Sequence, residues 1–360
     1  MQSVVKVKYL TKPPTTEQLK SDFPFDFDKL RFAIRSIEQH ASWIRKIWIV
    51  TNGERPAWLS NDDPHVAIVD QASILFWGDI PTFNRNAIEN SLHKINGISD
   101  HFLYFNENTI LKSKVCADDF FNPDDGYVFS ANGLQSIVDN VQCPTECLTD
   151  AFGDDRCDHE CNRLECLWDG LDCDWLNLLV SEATNDTVFS LELAQDFIGH
   201  VFEKELISGV DRYNVASVPF LINKHIMAEL QKRLYHYYRV SLSHKTQRNT
   251  DLLMPFTYVN WVLQAPHANQ NINEALYASN IYGPRHHYNL RLTNDTTVNR
   301  QAIGAMNSFD FETIKFLTIT DAGQASAESY VELGLLLEAL FPARSRFELD
   351  SRDHSAKKQE

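Results

Sequence analysis

The stretch Lys46-Ile47-Trp48-Ile49-Val50-Thr51 is a short apolar run that stops at Asn52-Gly53. It predicts a β-strand. Two runs of the same kind follow at residues 65–70 and 101–105. Before the first and the third run, apolar residues recur at helical spacing. Apolar strands that alternate with such helices indicate an α/β layer with a mostly parallel sheet. The predicted helices are residues 28–41 and 86–95.

Polar side chains stand at the end of each predicted strand. They are Asn52, Asp70 and the triplet Asn106-Glu107-Asn108. In α/β sheets, ligands bind beyond the carboxyl ends of the strands. These residues therefore mark the predicted ligand-binding edge.

A cysteine-rich segment interrupts the α/β pattern, which then resumes. The predictions for this second half are a helix (222–238), a buried aromatic and apolar segment (252–263), a loop (265–299), a strand (313–320), a helix (327–340) and a solvated tail (344–360).

The composition excludes several classes of protein. The 360 residues carry 33 Lys and Arg against 49 Asp and Glu, a net charge of −16, and 43% of them are hydrophobic. The hydrophobic share is too high for a disordered chain, and the length fits two or three domains. The acidic balance argues against a nucleic-acid binder, which needs clustered positive charge. Cations, basic partner surfaces and neutral sugars are the ligands that suit an acidic protein.

Six of the seven cysteines fall within residues 143–173. Such density implies a disulfide scaffold or a metal knuckle, and the lack of a repeated C-x-x-C favours disulfides over zinc. Disulfides imply an oxidising compartment, and the glycosylation sequons at Asn185 and Asn294 agree with it. Cys116 stands alone, and we interpret it as a buried free thiol or a consequence of truncation.

The N-terminus does not fit this compartment. Residues 1–14 hold no apolar segment of signal-peptide length, and no run approaches the roughly 20 apolar residues of a membrane span. Three explanations stay open: the chain is a fragment of a longer protein, the gene model lacks its first exon, or the compartment inference is wrong.

The cysteine window reads C-x3-C-x9-C-x3-C-x4-C-x6-C and ends in Trp168-Asp169-Gly170-Leu171-Asp172-Cys173. This pattern resembles a Lin-12/Notch repeat. The resemblance implies one calcium ion, because such a small unit needs a staple and calcium takes several oxygen ligands. The alternative is that its acids are merely solvated. The implied ligands are Asp154, Asp169 and Asp172, and the implied disulfides are Cys143–Cys166, Cys147–Cys161 and Cys157–Cys173.

The segments before this window resemble the second conserved region of the Stealth family. In order, they are residues 30–38, 47–53, 56–59, 81–84, 87–89 and 102–106. Together with a Notch-type repeat, they are similar to the animal members of that family rather than to the capsule enzymes of bacteria. The family's first conserved region, which begins with an N-terminal strand, has no visible counterpart in residues 1–20.

The resemblance implies an activity and a compartment. Animal members transfer N-acetylglucosamine-1-phosphate from UDP-N-acetylglucosamine to mannose on glycoproteins, which tags lysosomal enzymes in the Golgi lumen. The implied partners are the UDP-sugar, glycoprotein acceptors and either further copies or other subunits, with no nucleic acid. The resemblance also implies magnesium or manganese at the transfer site, and a membrane anchor that this sequence does not contain.

The resemblance also assigns site residues one by one. Glu89 matches a family glutamate, Glu107 the first of two strand-end acids, and Arg248 an arginine that could hold phosphate. The implied catalytic residues are therefore Glu89, Glu107 and Arg248, and the implied substrate-binding residues are Asn52, Asn106 and Asn108. Without the resemblance, Glu89 and His93 would be an exposed helix pair, residues 106–108 a turn, and Arg248 part of a solvated loop.

Three departures fall at reacting positions. Asn108 replaces the second acid, and Ser217 and Phe220 stand where the family has histidines. An amide cannot act as a base, and losing a base typically removes about two to four orders of magnitude of rate. The alternative to the transferase is therefore a catalytically degraded paralogue that acts as a binding or assembly protein in the secretory pathway.

The predicted fold is a glycosyltransferase-like α/β layer that binds a nucleotide sugar, with a small disulfide-rich calcium module inserted in it. Its expected parts are the first half of the Stealth-type domain (1–142), the Notch-type repeat (143–174), the second half of the domain (175–343) and the tail (344–360).

Overall fold

A computed structural model describes most of the chain outside the cysteine window. The described residues are 3–7, 25–60, 63–106, 108–124, 126–135, 147, 156–158, 161, 166, 191–207, 210–268, 277–282, 286–306, 313–321 and 325–349.

Strands and helices within these residues are numbered in chain order. The strands are β1 (Ser3–Val7), β2 (Lys46–Thr51), β3 (Val66–Asp70), β4 (His101–Phe105), β5 (Thr109–Leu111), β6 (Phe121–Asn122), β7 (Gly126–Gln135), β8 (Arg212–Val215), β9 (Phe220–Asn223), β10 (Ser279–Tyr282), β11 (His287–Leu292) and β12 (Phe316–Asp321). The helices are α1 (Phe25–His40), α2 (Arg85–Glu89), α3 (Leu191–Glu205), α4 (Lys224–Arg233), α5 (Tyr235–Ser243), α6 (Met254–Ala268), α7 (Thr296–Ala305) and α8 (Ala327–Leu340). None of them is long and apolar enough to cross a membrane.

The largest sheet has the strand order β3-β2-β1-β4-β9. Its first four strands are parallel, and β9 is antiparallel at the edge beside β4. Strands β2 and β3 follow β1 on one side of the sheet, and the chain then crosses over so that β4 pairs with the other side of β1. Such a reversal of strand order opens a crevice at the carboxyl ends of the two flanking strands. The predicted parallel sheet is thereby confirmed, whereas its ligand-binding edge stays a prediction.

The central strand β1 is the element that the sequence prediction missed. Val5 is fully buried and pairs with Trp48 of β2 and Tyr104 of β4. Sequence patterns assigned no strand to residues 1–20. The stretch Ser3–Val7 is short and contains Lys6, so its composition resembles an exposed segment although it is paired on both sides.

Two smaller sheets complete the described architecture. One has the order β10-β7-β6, with β8 also paired to β7, and the other has the order β11-β12-β5. The predicted loop over 265–299 is wrong, because it contains β10, β11 and the start of α7. Leu290 and Leu292 alternate with exposed neighbours and are fully buried, a strand pattern that the surrounding Asn and His residues obscure.

Two predicted helices are interrupted. The segment 86–95 is helical only to Glu89, after which a short 3-10 helix covers Leu92–Lys94. The segment 222–238 starts in strand β9, and Asn223 caps α4 by accepting hydrogen bonds from His225 N and Ile226 N. The helices predicted at 28–41 and 327–340 and the strands predicted at 46–51, 65–70, 101–105 and 313–320 are confirmed to within a few residues.

A described part of the cysteine window agrees with the implied pairing. Cys147 and Cys161 form a disulfide with their Cα atoms 5.6 Å apart. Cys157 and Cys166 are also disulfide-bonded. Their implied partners lie outside the described residues, as do Asp154, Asp169, Asp172 and Asn185. Cys116 is a free thiol as expected, but it is exposed, and its predicted burial is wrong.

The predicted solvated tail begins too early. Phe347 is buried, Ser60 N donates to Phe347 O at 2.7 Å, and Leu349 N donates to Trp58 O at 2.8 Å. Arg35 of α1 holds both carboxylate oxygens of Glu348, with Nε to Oε1 at 2.6 Å and Nη2 to Oε2 at 2.8 Å. Both side chains are at most 5% exposed. Residues 344–349 therefore belong to the packed part of the chain.

The Arg35–Glu348 pair predicts a pH-dependent contribution to stability. Burial raises the pKa of Glu348, but the hydrogen bonds and charge of Arg35 outweigh it, so the pKa is lowered overall. A lowered folded-state pKa stabilises the protein above the unfolded value of about 4.3 and stops doing so as pH falls through the folded value. Glu348→Gln should therefore cost about 3 kcal/mol at pH 7, measured by urea unfolding, and much less at acidic pH.

Glu332→Gln is the matched control, because Glu332 pairs with the exposed Arg300 at 2.7 Å. It should change unfolding little, since exposed ion pairs are screened by solvent. Equal effects of the two substitutions would contradict a stabilising role for the buried pair.

Candidate functional site

A cleft of about 310 Å³ opens at the carboxyl edge of the largest sheet. Its wall is formed by α2, the end of β4, α3, β8 and the segment that leads to β9, the loop after α5 and the start of α6. Apolar side chains from this last segment and from β9 line much of it, and polar groups converge among them. The size and lining are those of a small-molecule binding site. The polar members used below are Arg85, Glu89, Tyr104, Asn106, Ser217 and Gln247.

Glu89 is the carboxylate of the described wall, and it is already engaged. It is 2% exposed, it accepts a hydrogen bond from the Tyr104 hydroxyl, and Arg85 Nε lies 2.9 Å from its Oε1. Burial, followed by the charge of Glu89, raises the pKa of Tyr104 well above its usual value. Tyr104 therefore stays a neutral hydrogen-bond donor, and the exposed part of Arg85 brings positive charge to the cleft.

The expectation of an exposed Glu89–His93 helix pair is wrong. Glu89 bonds to Arg85 instead, and the two residues of the expected pair lie on different elements. His93 Nε2 lies 3.0 Å from Gln231 Oε1. Burial lowers the pKa of His93 to about 4, so it is neutral at physiological pH. The family resemblance, rather than helix spacing, identified Glu89 as a site residue.

A fully buried carboxylate, Asp251, joins two walls of the cleft. Its Oδ2 accepts from Asn84 Nδ2 at 2.9 Å, Asn86 Nδ2 at 3.3 Å and Arg248 N at 2.9 Å. Its Oδ1 lies 2.7 Å from His244 Nδ1. Asn84 is the cap of α2, the helix that carries Glu89. Asp251 therefore fixes the loop after α5 against the helix that presents the site carboxylate.

Sequence reasoning missed Asp251, although it named Arg248, whose backbone N–H donates to it. The segment around Arg248 is polar and is typical of a solvated loop, yet Asn249, Thr250 and Asp251 are at most 5% exposed. The available signal was position: Asp251 directly precedes the apolar segment that forms α6, where the chain has to enter the core.

Asn106 and Asn108 of the strand-end triplet are hydrogen-bonded to each other, and Asn106 reaches the cleft. Asn106 Oδ1 accepts from Asn108 N at 3.1 Å, and Asn106 lines the wall. Asn108 O accepts from Ile319 N at 2.9 Å, which ties Asn108 to β12. Asn108 is not among the residues that line the cleft. Glu107 lies outside the described residues.

Arg248 and Asn52 lie at the same edge of the sheet as the cleft, but neither residue lines the cleft wall. Gln247 lines the cleft, whereas its neighbour Arg248 is half-buried beside it. Asn52 is exposed directly after β2, at the same carboxyl edge. The roles assigned to both residues stay predictions.

Ser217 and Phe220, where the resemblance implies histidines, both line the cleft. Phe220 is buried, and its ring centroid is 5.5 Å from that of Tyr104. Ser217 is exposed, and its carbonyl accepts from Thr318 Oγ1 at 2.7 Å. Neither side chain can take up a proton near neutral pH. Across the described residues, no group of three His, Cys, Asp or Glu side chains is arranged to hold a metal ion.

Comparison with known proteins identifies two regions of the chain. The model of Stealth protein CR2, conserved region 2, matches residues 24–129, and that of the LNR domain matches residues 140–174.

Whole-protein relatives cover smaller shares. The N-acetylglucosamine-1-phosphotransferase subunits alpha/beta of Mus musculus are 39% identical over 150 residues, which is 41% of this chain and 12% of the mouse protein. An exopolysaccharide phosphotransferase of Streptomyces coelicolor is 45% identical over 97 residues, 26% of this chain and 16% of its own length. A capsular polysaccharide phosphotransferase of Haemophilus influenzae is 37% identical over 117 residues, 32% of this chain and 30% of its own length.

The aligned part of the chain thus spans about an eighth of the mouse protein and less than a third of the Haemophilus one. The Stealth match includes β2 to β6 and α2, and so holds Glu89, Tyr104 and Asn106 of the cleft wall. The LNR match covers the disulfide between Cys147 and Cys161. The chain therefore combines a Stealth conserved region 2 with an LNR domain, and is distantly similar to N-acetylglucosamine-1-phosphotransferase and to bacterial polysaccharide phosphotransferases.

Proposed function

We propose that this chain is the core of a sugar-phosphate transferase that moves N-acetylglucosamine-1-phosphate from UDP-N-acetylglucosamine to mannose on glycoproteins. The observation that carries the proposal is the Arg85–Glu89–Tyr104 cluster in a cleft at the carboxyl edge of the sheet, within the region that matches the Stealth model. Nucleotides bind α/β sheets at this edge. The names of the relatives supply the reaction class, phosphotransfer to a sugar.

The proposed reaction gives each group a task. A mannose hydroxyl attacks the phosphorus next to N-acetylglucosamine, a new P–O bond forms, the bond to UMP breaks, and UMP leaves. The guanidinium of Arg85, with Arg248 beside the cleft, would stabilise charge on the phosphates. The hydroxyl proton would go to a carboxylate, either Glu89 or Glu107. Asn52, Asn106 and Asn108 would hold the donor or acceptor through their amides.

Magnesium or manganese at this site belongs to the same proposal. Carboxylate and amide oxygens suit either ion, and Glu107 with Asn106 and Asn108 would be the ligands at the strand end. When bound, such an ion would neutralise charge on the transferred phosphate.

A second candidate is a binding or assembly protein that keeps the cleft but not the turnover. The observation in its favour is that Ser217 and Phe220 both face the cleft and that Glu89 is bonded to two donors. Purified protein decides between the two. Transfer to a mannoside in the presence of magnesium or manganese supports the transferase, whereas calorimetric binding of UDP-N-acetylglucosamine without transfer supports the binding protein.

Glu89→Gln tests the cluster directly. The amide cannot accept a proton and bonds weakly to Arg85, so the transfer rate should fall about 10²- to 10⁴-fold. Donor affinity, measured by calorimetry, should change far less than the rate. Glu328→Gln is the control, because Glu328 forms an exposed ion pair with Arg300. Unchanged turnover in folded Glu89→Gln would remove Glu89 from the reaction.

Asp251→Asn tests how the cleft is held together. The side-chain amide of asparagine would place an N–H donor among the N–H groups that donate to Asp251. The substitution should therefore cost about 2–3 kcal/mol of stability in urea unfolding. Donor affinity should fall with it, because α2 and the loop after α5 lose their shared partner. Asp295→Asn is the matched control, since Asp295 is an exposed helix cap where asparagine serves equally well. Full stability of Asp251→Asn would contradict this role.

The disulfide-bonded LNR module indicates an extracellular or secretory-pathway protein. We propose the Golgi lumen, with glycoprotein acceptors and either further copies or other subunits as partners. Asn294 is exposed and so suits glycosylation, and Asn185 is proposed as a second glycosylation site. The domain boundaries 1–142, 143–174 and 175–343 are proposed as well.

LNR domains typically bind calcium, and three carboxylates form a donor set of the kind that calcium takes. Asp154, Asp169 and Asp172 would hold the ion. A calcium chelator should therefore speed proteolysis within residues 143–173, mapped by mass spectrometry, because the small module loses part of what holds it folded. Cleavage elsewhere in the chain serves as the internal control. Equal digestion of the window with and without chelator would argue against a calcium site.

A further inference from the structure

A tryptophan stands almost fully exposed beside the cleft. Trp77 is 88% exposed and its neighbour Phe76 is 54% exposed. The other tryptophans that the structure describes are buried or half-buried. Large exposed aromatic side chains mark binding sites more often than ordinary surface does.

Phe76 is held between two cations. Lys94 Nζ lies 5.2 Å and Arg239 Cζ 4.9 Å from the centre of its ring. Asp79, which is 4% exposed, fixes Arg239 with an Nη1–Oδ2 distance of 3.1 Å. Lys245 Nζ donates to Gly78 O at 3.3 Å. The segment that carries Trp77 is therefore anchored on both sides although the tryptophan ring itself faces solvent.

Positive charge exceeds negative charge at this place. Lys94, Arg239 and Lys245 surround one carboxylate, that of Asp79, in a chain whose net charge is −16. Burial, followed by the charge of Arg239, lowers the pKa of Lys94, whereas Asp79 only partly compensates. An anion bound between these side chains would relieve their mutual repulsion.

The patch formed by Phe76, Trp77, Lys94, Arg239 and Lys245 is connected to the cleft wall by two short stretches of chain. Lys245 is two residues from Gln247, which lines the cleft. Phe83 N donates to Lys245 O at 2.8 Å, and Thr82 Oγ1 donates to His244 O at 3.3 Å. The chain then runs directly from the patch into the helix that carries Arg85 and Glu89.

We propose that this patch, the Trp77 patch, binds an anionic saccharide, specifically a sugar that carries a phosphodiester. The flat, exposed ring of Trp77 offers an apolar face to the C–H groups of a pyranose, and the three cations offer partners for a phosphate. Its apolar part consists of two rings, too little for a stable protein interface of about 800 Å² per partner. The proposal rests on the proposed function, because the product of that reaction is such a phosphodiester.

Calorimetry on the full chain tests the patch with three probes. They are the mannose phosphodiester of N-acetylglucosamine, methyl mannoside and inorganic phosphate. The diester should bind more tightly than either fragment. Trp77→Ala and Lys245→Met should each weaken diester binding about tenfold, the effect of losing one stacking or charge-assisted contact. Leu335→Ala and Lys114→Met, at exposed sites on other elements, should leave it unchanged.

Donor binding separates this proposal from the proposed function. Trp77→Ala should bind UDP-N-acetylglucosamine as the unaltered chain does, because Trp77 is not in the cleft wall. Diester affinity that survives Trp77→Ala, or inorganic phosphate that binds as tightly as the diester, would overturn the saccharide site. If the unaltered chain binds the diester but not UDP-N-acetylglucosamine, the result contradicts the proposed function and still supports the saccharide site.

Discussion

A carboxylate removed from water is tolerated only where donors surround it, and Asp251 meets that constraint with groups from two distant segments. Asn84 and Asn86 come from the start of α2, whereas Arg248 N and His244 come from the loop after α5. The hydrogen bonds that surround the buried Asp251 carboxylate therefore fix the distance between two walls of the cleft. The position of Glu89 follows from it, because the helix that carries Glu89 begins at a residue bonded to Asp251.

Much of the largest sheet could be predicted because the apolar composition of its strands indicates that they are buried. Strands β2, β3 and β4 are apolar runs with polar residues at their carboxyl ends, and buried parallel strands require that pattern. Strand β1 is as long as β3 and β4, but Lys6 interrupts its apolar run, and Val5 is buried by paired strands on both sides. The loop predicted over 265–299 fails for a related reason: partners distant in sequence decide that β10 and β11 are strands.

The site was predictable only where a family pattern pointed to it. Glu89 and Asn106 lie in the cleft wall as that pattern implied, and Ser217 and Phe220 face it. Arg85 stands four residues before Glu89, at a spacing that could have revealed the pair. Tyr104 and Asp251 escaped prediction because their partners lie up to 167 residues away in sequence, as between Asn84 and Asp251. Local spacing carries no information about such contacts. It instead suggested a Glu89–His93 pair that the fold does not form.

The side chains of the cleft wall limit the chemistry that the cleft can perform. Among the described residues of its wall there is no imidazole, so a proton released there has to reach a carboxylate. Glu89, the carboxylate of that wall, accepts a hydrogen bond from Tyr104 and pairs with Arg85. The pair places a cation and a carboxylate side by side, which are the groups that bind a phosphate and accept the proton of an attacking hydroxyl. The cations of the Trp77 patch add positive charge around the segment shortly before α2 in an otherwise acidic chain.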